Sequence, residues 1–329
     1  MNSISYKEAA AFLKERDGFV VFTHANPDGD TIGSAAALVR ILRSLGKRAV
    51  AVCADPIPQK LSFMDSDGIF TTELPKDIDT PISVDVASKA VLGAFGAFCD
   101  NQSFELTIDH HKINSLPCKR LLTRDNYIAN GEIIYELALE LGADIDKDTA
   151  TALYAAICSD SGGFRYANTR AETYEYAAEF IRKGVDFVLI NKLLFERKSP
   201  KQIDLERVAY NTLSLHYNGK LAVVAIDEDT ATSLGVADSD YDVLNQIPRQ
   251  ISGVEVSAVL RPRDGATKVS LRSNEYFDVA EFAKRYGGGG HIHAAGYRFE
   301  GRVKDAASNL INDMDGAFDN GSKWNIDCK

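Results

Sequence analysis

GFVVFTHANPDGD, residues 18–30, is the stretch on which the fold turns. GFVVFT is a short apolar run rich in β-branched and aromatic residues, and such a run reads as a buried strand. The polar HANPDGD ends it, with Pro27 and Gly29 suited to a turn. A helical pattern then runs from Gly33 to Leu45, and AVAVCA at 49–54 reads as a second strand. Strand, helix and strand in succession form the crossover that parallel strands require. The alternation continues outward, with strands expected at 81–86 (PISVDV) and 104–109 (FELTID). Helices are expected at 5–16, 130–142, 148–159 and 170–183. The fold class is α/β, with a mostly parallel sheet in an N-terminal domain over residues 1–186.

Beyond residue 186 the pattern changes. Residues 187–213 read as a helical connector containing FERKSPKQIDLER. A smaller C-terminal α/β domain with a mixed sheet is expected over 214–329. Its strands lie at 221–227, 254–261, 267–272 and near 296–299, with a hairpin turning at Asp264-Gly265. Helices are few, at 278–286 and 303–314, and the first leads into GGGGHIHAAG at 287–296.

The 329 residues are 45% hydrophobic and 26% charged, the composition of two ordinary globular cores. Only the last ten or so residues, rich in Gly, Asn, Ser and Asp, suggest disorder. A net charge of -10 argues against long duplex nucleic acid as a partner, because wrapping it takes a basic stripe. It leaves room for a small anionic substrate, since bound cations and a few arginines can reverse the potential of one cleft. The cysteines (Cys53, Cys99, Cys118, Cys158 and Cys328) are odd in number and form no CxxC pair, which fits free thiols in a reducing compartment. The opening MNSISYKEAAAFLKERDG has no apolar core of a secretory signal, and no run is long enough to span a membrane. A cytoplasmic protein without membrane contact is expected.

The acids and histidines fall at strand ends. His24, Asp28 and Asp30 follow the first strand, Asp85 lies near the end of another, and Asp109, His110 and His111 end a third. In an open parallel sheet these ends form one crest where ligands bind. Carboxylate with imidazole suits Mn²⁺, Co²⁺ or Zn²⁺, whereas Mg²⁺ alone prefers oxygen. Two cations about 4 Å apart need a shared carboxylate and a bridging water able to attack phosphorus. A loop carrying Asp28 and Asp30 is able to feed two neighbouring cations. Taken singly, HxxxDxD reads equally as a helix cap with a solvated turn, and Asp85 or Asp160 as a turn or cap residue. DHH after a strand is harder to dismiss, because buried charge needs partners.

HANPDGD (24–30), SVDVAS (83–88), IDHHKIN (108–114) and SDSGGFRYANT (159–169) resemble, in order, the four catalytic-domain motifs of the DHH phosphoesterase superfamily. GGGGHIHAAG resembles the glycine-histidine motif of its associated DHHA1 domain. The likeness covers almost the whole chain. It is greatest to small stand-alone enzymes that degrade nanoRNA, many of which also dephosphorylate 3′-phosphoadenosine 5′-phosphate. Two departures, VDVAS for a Thr after Asp85 and DSGGFRY for a Thr before the second Gly, remove no ligand.

The resemblance implies one cation on His24, Asp28 and Asp85, and another on Asp30, Asp85, His110 and Asp160, with Asp85 bridging and Mn²⁺ favoured for both. It implies that His111 contacts or protonates phosphate oxygens and that Asp109 orients a histidine. For the substrate it points to Arg272, Ser273, Gly289, Gly290 and His291, with Arg263 and Arg165 as further candidates. His293 reads as structural. A glycine turn of this kind can cradle phosphate on main-chain N–H groups, and a cleft closing between two domains suits a short oligonucleotide or nucleotide. A homodimer is compatible with the likeness. The expected products are 5′-mononucleotides from di- to pentanucleotides, or AMP and phosphate from the bisphosphate. The rival readings are a phosphodiesterase specific for linear or cyclic dinucleotides (pApA, pGpG, cyclic di-AMP) and a nucleotide-binding module that has lost turnover. A dinucleotide-cofactor dehydrogenase is excluded by the missing GxGxxG after the first strand, where DGDTIGS stands instead.

Overall fold

The computed structural model describes residues 2–76, 78–236 and 238–318. Cys328 and the polar tail lie outside them. The chain divides into two compact units, 1–197 and 198–329. The stretch 187–213 is shared between them. Residues 187–196 form the helix α7 (Phe187–Asn191) and a π-turn in the first unit, and α8 (Pro200–Thr212) belongs to the second. No helix among the described residues is long and apolar enough to cross a membrane.

The first unit has seven strands: β1 (Asn2–Ser3), β2 (Phe19–Phe22), β3 (Ala49–Val52), β4 (Phe70–Thr71), β5 (Thr80–Val84), β6 (Leu106–Asp109) and β7 (Arg120–Thr123). They pair in the order β1-β7-β6-β5-β2-β3-β4, and every pairing is parallel. The helices before α7 are α1 (Tyr6–Glu15), α2 (Gly29–Ser44), α3 (Phe98–Asn101), α4 (Asn130–Leu141), α5 (Lys147–Asp160) and α6 (Ala171–Arg182). β1, β4 and β7 escape the sequence reading because the first two span two residues each and take their strand geometry from a neighbour rather than from composition.

One boundary differs from the sequence expectation and matters to the site. α2 begins at Gly29, not Gly33, because Asp28 caps it by accepting the N–H groups of Asp30 and Thr31, both at 3.0 Å. Asp30 is thus a first-turn helical residue rather than part of a loop. α2 is buried along nearly its whole length and packs against α5 with the two helices antiparallel. Gly29 lies against Ser159 and Gly33 against Ala152 and Ala156, so α5 ends, at Asp160, beside the start of α2.

The second unit is built on a mixed sheet of β8 (Ser214–His216), β9 (Leu221–Ala225), β10 (Val256–Arg263), β11 (Ala266–Ser273), β12 (Gly289–His291) and β13 (Ala294–Phe299). The order is β12-β13-β11-β10-β9-β8, with only β9 and β10 parallel. Its helices after α8 are α9 (Glu228–Leu234), α10 (Gln246–Arg249), α11 (Val279–Lys284) and α12 (Val303–Asp313), more than expected. One core joins the sheet to α11 and α12, and another joins it to Leu205 and Ala209 of α8. The expected hairpin turn is present, with Asp264 and Gly265 both at positive φ, 50° and 74°.

Candidate active site

The carboxyl ends of β2, β5 and β6 and the facing ends of α2 and α5 converge on one cluster. Three overlapping groups, His24/Asp28/Asp85, Asp30/His110/Asp160 and Asp85/His110/His111, each present ligand-type atoms within 4.8 Å of one another. His24 Nε2 lies 3.7 Å from Asp28 Oδ1 and 3.6 Å from Asp85 Oδ2. His110 Nε2 lies 3.4 Å from Asp85 Oδ1, 3.7 Å from Asp30 Oδ2 and 3.7 Å from Asp160 Oδ2. Asp85 therefore turns one oxygen toward each histidine.

Backbone groups orient these side chains. His24 Nδ1 donates to the Ala25 carbonyl at 2.8 Å, and His110 Nδ1 to the Tyr127 carbonyl at 3.3 Å, so both Nε2 atoms face the carboxylates. Asp30, fully buried, accepts the Asn130 N–H at 2.6 Å on Oδ2, and the Gly131 N–H and Ser34 hydroxyl at 3.0 Å on Oδ1. The first-turn amides of α4 thus hold it, as helix N-termini hold anions. His111 Nδ1 donates to Asp109 Oδ1 at 2.7 Å, and Asn114 clamps the other Asp109 oxygen at 2.6 Å. That bond occupies the nitrogen by which His111 would join Asp85 as a ligand.

Carboxylates outnumber imidazoles in the cluster. Burial, with Asp85 next, pushes the Asp30 carboxyl up to about 8. Burial, with the Asp30 and Asp28 charges behind it, puts Asp160 well above the carboxylate range. Burial draws the His24 and His110 imidazoles down, but their carboxylate neighbours outweigh it and raise them to about 11 and about 10. Left to itself the site takes up protons, which is what a nest of carboxylates and imidazoles built for cations does. Asp85 adds two further signs. It sits at φ 56°, a strained conformation for a non-glycine residue, and its buried Oδ1 has no hydrogen-bond partner. The donor set and this orphaned oxygen fit two divalent cations.

The substrate candidates do not form one group. Arg272 and His291 share a row across the sheet, His291 opposite Ala294 and Ala294 opposite Arg272. Ser273 is buried, and its hydroxyl is 2.9 Å from His293 Nδ1, so it ties the glycine hairpin down from inside. Arg263 is separated from them. It pairs with Ala266 at the turn of the β10–β11 hairpin, six residues from Arg272 along β11, or roughly 20 Å of strand. Arg165 is in the first unit, where its Nε donates to the Gly162 carbonyl and its guanidinium lies 5.7 Å from the Phe195 ring centre. The glycines expected as a turn are partly an edge strand. A Cβ on Gly288 would stand 2.3 Å from the Gly296 carbonyl oxygen, and one on Gly290 2.4 Å from that of Ala294. These two are glycine because β13 passes so close, whereas Gly289 is exposed and open above.

Ser34, Asn114, Asn130 and Gly131 escaped the sequence reading. Two of them act through main-chain N–H groups, which carry no side-chain signature, and only DHHKIN hints at Asn114.

The sequence profile of the DHH family, N-terminal domain, matches residues 18–157, and that of the DHHA1 domain matches 218–317. A bifunctional oligoribonuclease and PAP phosphatase, NrnA, of Thermus thermophilus is 32% identical over 303 residues, covering 91% of this chain and 89% of its own. Its Bacillus subtilis counterpart is 29% identical over 298 residues, covering 85% and 88%. Among solved structures, an exopolyphosphatase-related protein from Bacteroides fragilis superposes with a TM-score of 0.87 at 23% identity, covering 95% of this chain and 96% of that one.

Proposed function

The chain belongs to the DHH/DHHA1 phosphoesterase superfamily, and from that premise we propose that it hydrolyses di- to pentaribonucleotides to 5′-mononucleotides and 3′-phosphoadenosine 5′-phosphate to AMP, using two Mn²⁺ ions. The observation that carries this reading is the meeting of six ligand-type side chains around Asp85. His24, Asp28 and Asp85 would hold one cation, and Asp30, Asp85, His110 and Asp160 the other. When bound, the pair supplies Lewis acidity toward water and the phosphoryl oxygens.

The protein's own groups do the rest. Asp109, hydrogen-bonded to His111 Nδ1, raises that imidazole above its ordinary value and so favours the form that would donate from Nε2 to the departing oxygen. Arg272 and His291, in one row of the second sheet with Ala294 between them, are suited to a nucleotide phosphate or base, with the exposed Gly289 on the same strand as His291. Support for the substrate class comes from the curated relatives, both described as oligoribonucleases and PAP phosphatases across nearly their full length.

The test is product analysis by chromatography with Mn²⁺ and four substrates: pApA, a 5′-labelled RNA pentamer, 3′-phosphoadenosine 5′-phosphate and cyclic di-AMP. Loss of pApA and the pentamer, with slower loss of the bisphosphate, is expected. Turnover confined to pApA or to the cyclic compound would replace this reading with a signalling-nucleotide phosphodiesterase. Turnover of none would leave a binding module.

A further inference from the structure

Two histidine and aspartate ligand candidates depend on one short segment of backbone. Tyr127 supplies the carbonyl that orients His110, and Asn130 and Gly131 supply the amides that hold Asp30. Displacing residues 127–131 would move both side chains at once, so whatever fixes this segment sets one half of the cluster.

Glu132 and Arg170 fix it. Glu132 is fully buried, and its Oε2 accepts the Ile128 N–H at 3.0 Å and Arg170 Nη2 at 3.2 Å. Its Oε1 accepts the Thr173 hydroxyl. The Arg170 guanidinium lies over the Tyr127 ring, 4.0 Å from its centre. The Tyr127 hydroxyl donates to Glu136 at 2.8 Å, an acceptor shared with Tyr176 at 2.6 Å. Tyr127 is therefore pinned by its ring, its hydroxyl and the residue that follows it. Arg170 is also the N-cap residue of α6, ten residues beyond Asp160 along the chain, so the ion pair ties the start of α6 to the segment that holds His110 and Asp30.

We propose that Glu132 and Arg170 are positioning residues that tune the affinity of the His110/Asp30/Asp160 side of the cluster for a divalent cation, acting through the Tyr127 carbonyl and the Asn130 and Gly131 amides. This rests on the two-cation reading above. The pair touches no ligand atom. It works as hydrogen-bonded partners behind metal ligands do, by fixing direction.

The experiment is Mn²⁺ titration calorimetry on the full chain, comparing wild type with Glu132→Gln and Arg170→Lys, with circular dichroism of the metal-free proteins alongside. Gln keeps an acceptor for Ile128 and loses the charge, while Lys keeps the charge and loses the flat stack on Tyr127. Each variant should leave one Mn²⁺ binding event at wild-type strength and weaken the other by roughly 10–100-fold. Phosphodiester turnover should return when Mn²⁺ is raised to match, which a general loss of fold would not allow. Wild-type titration curves for both variants would overturn the proposal, as would equal weakening of both events. If Glu132→Gln does not fold, Arg170→Lys alone decides. Wild type that binds no Mn²⁺ would instead sink the two-cation reading beneath it.

Discussion

At the residue scale, Asp85 bears the most conflicting demands. It follows the last residue of β5 in a strained backbone conformation, its buried Oδ1 lacks a hydrogen-bond partner, and its two oxygens face different histidines. Asn fits that geometry, because its short side chain tolerates the left-handed region as Asp does. Asp85→Asn should therefore fold normally while lowering turnover by more than about 100-fold, beyond the cost of losing an outer partner. Metal analysis after dialysis should find both cations depleted together. Loss of only one would mean that Asp85 serves one site and does not bridge. The convergence of His24, Asp28, Asp30, Asp85 and His110 was legible in the sequence because strand ends collect in one place whatever their separation along the chain, whereas Asp160, at the end of a helix, was placed with them only by the family resemblance. Asn130, Gly131, Glu132 and Arg170 were not legible, since they act through backbone groups or through another side chain. Arg263 and Arg272 belong to one hairpin, but Arg263 is at its turn and Arg272 near its open end, and those are its most distant points.

At the scale of elements, α2 and α5 set the spacing of the acidic residues they carry. The closeness of the helices rests on Gly33, where a Cβ would stand 2.4 Å from the Ala152 carbonyl oxygen and 2.9 Å from the Ala156 Cβ. Backbone at the centre of a packed helix cannot step aside as a surface side chain can. Gly33→Ala gains about 1 kcal/mol in helix propensity, yet forcing the pair apart costs roughly 1–3 kcal/mol. The overpacking should win. The urea midpoint should fall, and Mn²⁺ affinity should fall with it as Asp30 and Asp160 separate. A variant as stable as wild type, with unchanged affinity, would show that the helices have slack here. The sequence placed α4, α5 and α6 within a residue or two because their periodicity is strong. It misplaced the start of α2 because HANPDGD looks like a turn until the Asp28 side chain is seen capping the next residues. The same ambiguity hid β12, since four glycines read as a bend until β13 is found packed against them.

At the scale of the whole molecule, the chain is acidic overall, and the aspartate and histidine cluster lies entirely within residues 1–197. Each unit has its own core, so a change at the cluster should register in the first unit's unfolding and spare the second's. Asp30 rises from an ordinary 3.8 to about 8, chiefly through burial, so the metal-free fold holds a proton there that the unfolded chain releases at lower pH. The penalty for removing it grows as pH climbs from the lower value to the higher. His24 and His110 rise from 6.5 to about 11 and about 10, and the stability they add, complete below 6.5, drains away as pH rises toward those values. All three effects have one sign between pH 7 and 8, and the two histidines carry it on to pH 9. Metal-free protein should lose stability across that interval, seen by calorimetry as a lower first-unit transition, at about 2–4 °C per kcal/mol for a domain of this size. Saturating Mn²⁺ should abolish the slope and raise that transition, because bound cations replace the protons and bind only the folded form. A metal-free transition that is flat or rises from pH 7 to 9 would mean that the carboxylates are already neutralised by some other means, and the case for a cluster short of cations would fall with it.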